Sequence, residues 1–275
     1  GVDTYYTPFV RIEKGGFRNK DLKDIACDRN RQVHVVPQLI ASTPDEFRPI
    51  VRLFQENGYK EADINLGCPF PMQVRYKEEA ESLLRTIEEF PDISFSMKMR
   101  LGWECTDESF VLLSLLNKLP LKHITLHPRL GIQQYKGAID WDGFSRFYDE
   151  CELPLYYNGD LVGLEDIRGI KERFPGLAGI MLGRGLLASP WLATEFVSGQ
   201  VLTVNERRDK LVMFHESLMD EYAARLEGGE HQVLSKMKTI WDYLLPEADK
   251  RLRKKVLKST SLTSYQSAVK DLLSL

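Results

Sequence analysis

The stretch Ile93-Ser94-Phe95-Ser96-Met97-Lys98-Met99-Arg100 holds a strand candidate, Ile93–Met99, with Arg100 at its end, and it has two chemically opposite faces. Alternate side chains of a strand point to opposite sides, so Lys98 and Arg100 share one side and Met97 and Met99 the other. The cations also stand at the C-terminal end of the segment. The same placement recurs along the chain. Asn65 closes the strand candidate Ala62–Leu66, His127 closes His123–His127, Asn158 closes Pro154–Asn158, and Gly183 follows Ala178–Leu182. Thr4–Val10 and Val33–Leu39 bring the expected strands to seven.

Amphipathic segments lie between these strands. In Pro44–Asn57 the apolar residues Phe47, Ile50, Val51 and Phe54 recur at helical spacing. Thr43 and Pro44 make a helix start, as N-cap and first helical residue. Asp107–Asn117 and Leu164–Phe174 read the same way. Such alternation predicts an α/β fold, a parallel sheet with helices outside. An open doubly wound sheet shares the alternation, and the polar strand ends decide against it. In a TIM (β/α)8 barrel the C-terminal strand ends converge on one face, where active sites of that fold are built. Seven strands are one short of eight, so the first strand is expected to precede Gly1 and to be missing from this chain.

The 275 residues are 43% hydrophobic and 28% charged, which supports a packed core and argues against disorder. No run approaches the roughly 20 apolar residues of a membrane span, and the first residues do not read as a signal peptide. Collagen, coiled coil, membrane channel and disulfide miniprotein are thereby excluded. Cys27, Cys68, Cys105 and Cys151 stand singly, without metal-ligand spacing, which argues against zinc or an iron–sulfur cluster. Reduced thiols and a cytoplasmic location are expected. Nothing in the sequence calls for an oligomer.

After about Val204 the pattern changes to four helices, Glu206–Leu226, Gln232–Leu244, Asp249–Leu257 and Leu262–Leu273. Their apolar positions, Leu211, Met213, Phe214 and Leu218 among them, suit a small bundle. The expected domains are therefore a barrel over 1–203 and a helical domain over 204–275. From Lys236 onward nine Lys/Arg face four Asp/Glu, a balance of +5. Because the whole chain stands at −3, the part before Lys236 carries −8. A basic appendage on an acidic barrel suits an anionic polymer, and an ordinary solvated helix face is the plainer alternative.

Asp63-Ile-Asn-Leu-Gly-Cys-Pro69 carries the densest chemical signal. The strand ends in Asn65, Gly67 frees the turn, and Cys68 follows at the mouth, where a thiol can act as nucleophile or general acid. Cys27, Cys105 and Cys151 are expected to be small half-buried hydrophobes, and His34 and His215 satisfied core residues. Lys98 and Arg100 need anions or polar π systems beside them, either a structural salt bridge or an anionic cofactor. Asn158-Gly159-Asp160 and Gly183-Arg184-Gly185 offer backbone N–H groups and a guanidinium to a phosphate. A phosphorylated planar cofactor fits these parts. Flavin mononucleotide would place its phosphate at the late glycines and its pyrimidine edge at Gln38 and Lys98.

The motifs resemble the tRNA-dihydrouridine synthase family. The matching pieces are Asn65-Leu-Gly-Cys-Pro69, Lys98-Met-Arg-Leu-Gly-Trp103, His127-Pro-Arg129, Gln134-Tyr-Lys-Gly137, Asp140-Trp141, Asn158-Gly-Asp160, Gly183-Arg-Gly185 and Pro190-Trp191. They occur in the family's order, and Lys236-Met-Lys238 with Trp241 resembles its helical domain. The resemblance implies a flavoenzyme that uses FMN and NADPH to reduce uridines in tRNA. Hydride would reach C6 from the reduced flavin, and Cys68 would give a proton to C5. It also implies that Asn65 and Arg100 hold the uracil. Gln38, Lys98, His127, Asn158, Gly159, Asp160, Gly183 and Arg184 would hold FMN, and the helical domain would bind tRNA. Two departures stand out. Pro128 occupies a position usually Gly in the family, and the interval from Cys68 to Lys98 is short, with no glycine-rich stretch between Val74 and Leu83. An FMN barrel acting on a free pyrimidine or small enone is the alternative activity, and a non-catalytic tRNA-binding relative the other.

Overall fold

A computed structural model describes residues 1–67 and 77–274. Its strands are β1 (Tyr5–Tyr6), β2 (Ile12–Glu13), β3 (Gly16–Phe17), β4 (Val35–Val36), β5 (Gln38–Leu39), β6 (Glu61–Asn65), β7 (Ser94–Gly102), β8 (Leu121–Leu130), β9 (Leu155–Tyr157) and β10 (Gly179–Ile180). From β5 to β10 each strand pairs with the next one in sequence, and every pairing is parallel. β1 pairs parallel with β4, and the Val10–Leu39 bridge extends that parallel pairing to β5. Pro37 separates β4 from β5 because it has no N–H to give a ladder, although its carbonyl still accepts from Asp63 N.

A helix lies in each connection from β5 to β10: Pro44–Glu56, Lys77–Arg85, Asp107–Leu116, Trp141–Glu150 and Leu164–Arg173. A doubly wound sheet reverses its strand order at a switch point. No reversal occurs among the described residues, and unbroken sequential parallel order belongs to the TIM-type barrel. The short antiparallel hairpin β2–β3 turns on Lys14 and Gly15, both at positive φ, and had no counterpart in the expected elements.

Both faces of the sheet are largely covered, as a barrel requires, and one is apolar while the other is polar. Ala62 and Ile64 on β6, Met97 and Met99 on β7, and Ile124 and Leu126 on β8 are all buried. Phe47 of the helix Pro44–Glu56 meets Phe95 with ring centroids 5.7 Å apart, and Phe144 meets Tyr157 edge-on at 5.1 Å. These contacts mark the odd residues of β7 and Tyr157 of β9 as the helix-facing set. By alternation Asp63, Asn65, Ser96, Lys98, Arg100, His123, Thr125 and His127 face the other way. Thr43 caps the helix Pro44–Glu56 by accepting from Glu46 N, and Phe47, Ile50, Val51 and Phe54 are fully buried. Each of those burials contributes about 1.5–3 kcal/mol.

The chain forms two compact units, one comprising Val2–Gly159 with Lys171–Met181 and the other Gly1, Asp160–Ile170 and Leu182–Leu275. The second contains the helices Val204–Arg225, Gly229–Ile240, Lys250–Leu257 and Leu262–Leu273. Its core joins Leu211, Met237, Trp241, Val256, Tyr265 and Leu272 with their neighbours. Thr203 and Ser261 cap the first and last of these helices. Met213 and Phe214 are not core residues; they are 69% and 43% exposed. The stripe that packs runs Leu211, His215, Leu218, Tyr222, and positions 213 and 214 rotate off it at 100° per residue.

Two smaller expectations are also corrected. His34 is a surface residue paired with Glu61 at 3.1 Å, because β4 begins only after it, whereas His215 is buried and hydrogen-bonded. Cys105 is exposed in the turn after β7, while Cys27 and Cys151 are half-buried.

Candidate active site

Register places the polar strand ends side by side. Gln38 stands opposite Asp63, Asn65 opposite Lys98, and Arg100 opposite His127. Parallel register partners share a face, so one patch gathers side chains drawn from four consecutive strands. Gln38, Arg100 and His127 are buried, and Asn65 and Lys98 are half-buried.

A directed hydrogen-bond chain runs through this patch. Ser96 Oγ donates to Asp63 Oδ1 at 2.6 Å, and Gln38 Nε2 donates to Asp63 Oδ2 at 2.7 Å. Asn65 Nδ2 donates to Gln38 Oε1 at 2.8 Å, and Asn65 Oδ1 accepts from Gly67 N at 3.0 Å. Asp63 is fully buried. Desolvation pushes its carboxyl up to about 6, against the opposing pull of the Ser96 and Gln38 hydrogen bonds and the Lys98 charge.

Arg100 is held from two sides. Its Nε donates to Gly67 O at 2.9 Å, its Nη1 to Leu130 O at 3.0 Å, and the Tyr135 ring lies 5.5 Å from the guanidinium carbon. Arg129 Nη1 approaches His127 Nε2 at 3.3 Å. A guanidinium only donates, so Nε2 accepts and the proton of a neutral ring sits on Nδ1. Asn158 Nδ2 donates to Met181 O at 2.9 Å. Gly159 has φ 156°, and a Cβ there would come within 3.2 Å of Ile139 Cδ1 and 3.3 Å of His127 Cδ2. Only glycine keeps this backbone so close to the patch.

In the second unit, Arg184 Nη2 lies 3.5 Å from Asp160 Oδ1, both side chains being exposed. Asp160 itself has positive φ, and a Cβ at Gly183 would meet nothing within 4 Å. Cys68, the expected acid, lies outside the described residues.

A family model described as dihydrouridine synthase matches residues 1–273. The chain belongs to the dihydrouridine synthase family. Among curated members, a probable tRNA-dihydrouridine synthase of Rickettsia conorii is 25% identical over 220 residues, covering 74% of this chain and 66% of that protein. The tRNA-dihydrouridine synthase B of Klebsiella pneumoniae is 26% identical over 183 residues, 61% of this chain and 57% of its own length. A probable tRNA-dihydrouridine synthase of Aquifex aeolicus is 28% identical over 242 residues, 82% and 75% respectively. The chain thus spans less than two thirds of the length of the Rickettsia and Klebsiella proteins. Among solved structures, an old yellow enzyme homologue from Zymomonas mobilis superposes with a TM-score of 0.48 at 11% identity, covering 66% of this chain and 72% of that one.

Within this member of the dihydrouridine synthase family, the motif Asp140-Trp141 serves the scaffold. Asp140 caps the helix Trp141–Glu150 through Gly143 N at 2.8 Å and accepts from Thr106 Oγ1 at 2.9 Å, while Trp141 stacks on Tyr157. Asp63 and Ser96 carry site geometry that the sequence motifs leave unassigned. Their period-two spacing from Asn65 and Lys98 is the signal that puts them on the same face.

Proposed function

We propose that this protein reduces uridines of tRNA to 5,6-dihydrouridine in the cytoplasm, as an FMN enzyme re-reduced by NADPH. The observation that carries this reading is the pairing of Asn65 with Lys98 and of Arg100 with His127 on one polar face, in a chain of the dihydrouridine synthase family. That donor set fits FMN: an ammonium and carboxamides suit the flavin's carbonyl edge, and Gly159 brings bare backbone beside them. Gln38, Lys98, His127, Asn158 and Gly159 would hold the cofactor. Asp160, Gly183 and Arg184 are proposed for it on the sequence alone, from their phosphate-binding residue types and the family resemblance. When bound and reduced, FMN supplies the hydride that adds at C6 of the uracil.

The chain's own residues do the rest. Asn65 and Arg100 hold the uracil edge; Arg100, fastened to two carbonyls, needs little reordering when the base arrives. Cys68 gives its thiol proton to C5, and it must be in the thiol form at that moment. A uracil stacked in folded tRNA has to be turned out of its stack to reach such a site. Residues 1–203 then act as the catalytic domain and 204–275 as the tRNA-binding domain, with exposed cations such as Lys250, Lys254 and Lys258 on phosphates.

The test is a reaction of the purified chain with FMN, NADPH and an unmodified tRNA transcript, followed by nucleoside mass spectrometry. Formation of dihydrouridine with matching NADPH consumption is expected. Reduction of free uridine or small enones with tRNA untouched would replace this reading with the small-substrate one.

A further inference from the structure

We propose that Asp63 is a positioning residue that fixes the orientation of the Gln38 and Asn65 carboxamides toward the cofactor and substrate. The proposal rests on the reading of Gln38 as an FMN residue and goes beyond it.

A carboxamide has a donor end and an acceptor end of nearly the same shape, so a buried one can face either way unless a neighbour decides. Asp63 decides here, because an ionised carboxylate only accepts. It takes Gln38 Nε2 on one oxygen and Ser96 Oγ on the other. Gln38 must then turn its Oε1 away, where it accepts from Asn65 Nδ2. Asn65 must in turn present Oδ1 to Gly67 N. The Asp63 charge at one end and the Gly67 N–H at the other therefore agree on the polarity of both side chains, Asp63 being the end that holds Gln38 directly, and the Gly67 carbonyl holds Arg100 Nε. Reversing any single amide would set N–H against N–H or oxygen against oxygen along the chain.

The carboxyl is ionised above about pH 6, the value to which burial raises it. Lys98, standing one register step away opposite Asn65, helps to hold the charge. A fully buried carboxylate is costly, and a purely structural position on β6 would be served by Val, which suits a buried strand. Retaining an acid there is explained by what it orients.

The experiment measures FMN affinity by fluorescence titration of the chain after flavin removal, in four variants. Asp63→Val removes the acceptor while keeping a strand-compatible shape, and it should weaken FMN binding about tenfold, the worth of roughly one charge-assisted hydrogen bond. Asp63→Asn keeps an acceptor oxygen and should recover most of that loss. Gln38→Ala should weaken binding by itself. In the double variant Gln38→Ala/Asp63→Val the second change should add nothing, because Asp63 acts through Gln38. Additive losses, or an Asp63→Val chain that binds FMN like wild type at whatever melting temperature, would overturn the proposal. If Gln38→Ala binds FMN normally, the cofactor assignment of Gln38 fails instead, and the two failures are told apart.

Discussion

The hydroxyl of Tyr265 lies 2.8 Å from Nε2 of His215, 50 positions away, inside the helical unit. Trp241 Nε1 donates to the same hydroxyl at 2.8 Å, so the phenol accepts from the indole and gives its own proton to the imidazole. His215 is thereby an acceptor and neutral. Burial holds its pKa down at about 4 and raises the Tyr265 phenol to about 12.

An imidazole that resists protonation when folded, but protonates near 6.5 when unfolded, gives the unfolded state the extra proton below that pH. Its contribution to stability is therefore intact above pH 6.5 and is lost as pH falls toward 4. The loss is about 1.4 kcal/mol per pH unit, or about 2 kcal/mol by pH 5. His123 of the barrel, also held at about 4 by burial, acts in the same direction. Urea midpoints at pH 7 and pH 5 should differ less for His215→Gln, which keeps an acceptor for Tyr265, than for the wild type. Equal pH dependence in the two proteins would contradict this.

Glu195 is buried and takes Arg207 in a bidentate grip, at 2.8 and 3.0 Å, together with Leu202 N at 2.9 Å. Arg207→Ala would leave that carboxylate enclosed without its cation and should cost about 3 kcal/mol. Replacing both, as Glu195→Leu with Arg207→Met, should cost much less. Guanidinium chloride unfolding decides, and a double variant as damaged as the single one would argue that packing, not the stranded charge, sets the loss.

Cys68→Ala should bind FMN and be reduced by NADPH at wild-type rates, while dihydrouridine formation slows about 10²–10⁴-fold. Single-turnover kinetics separate the two half-reactions. Unaltered oxidation of the reduced flavin by tRNA would remove Cys68 from the proposed chemistry.

Two groups of cations in the helical unit should be distinguished by salt dependence. Lys238 Nζ donates to Ser259 O, and Arg253 donates to the carbonyls of Pro246 and Trp241, so both stitch the bundle together. Lys250, Lys254 and Lys258 recur every fourth residue and are exposed. Lys254→Ala with Lys258→Ala should lower the slope of log affinity for tRNA against log salt by about one for each lysine replaced. Arg253→Ala should lower the melting temperature and leave the slope unchanged. An unchanged slope in the lysine variants would place the RNA elsewhere.

The sequence by itself determined the main barrel strands and helices and the faces of those whose period is unambiguous, but not the β2–β3 hairpin or the packing stripe of Val204–Arg225. Met97-Lys98-Met99-Arg100 could only alternate once extended, and Thr43-Pro44 could only start a helix there, because backbone geometry within a turn settles both. It also carried the family motifs, since those are strings of residue identity. Tertiary structure alone decided which polar groups meet. Gln38 and Asp63 are 25 positions apart, Asp63 and Ser96 are 33 apart, and only the register of β5, β6 and β7 makes them partners. Packing likewise chose His215 over Met213 and Phe214 for the helical core, and spent Lys238 and Arg253 on carbonyls. A residue's periodicity is local, whereas its partner depends on how distant segments are set side by side, and no short window of sequence contains that information.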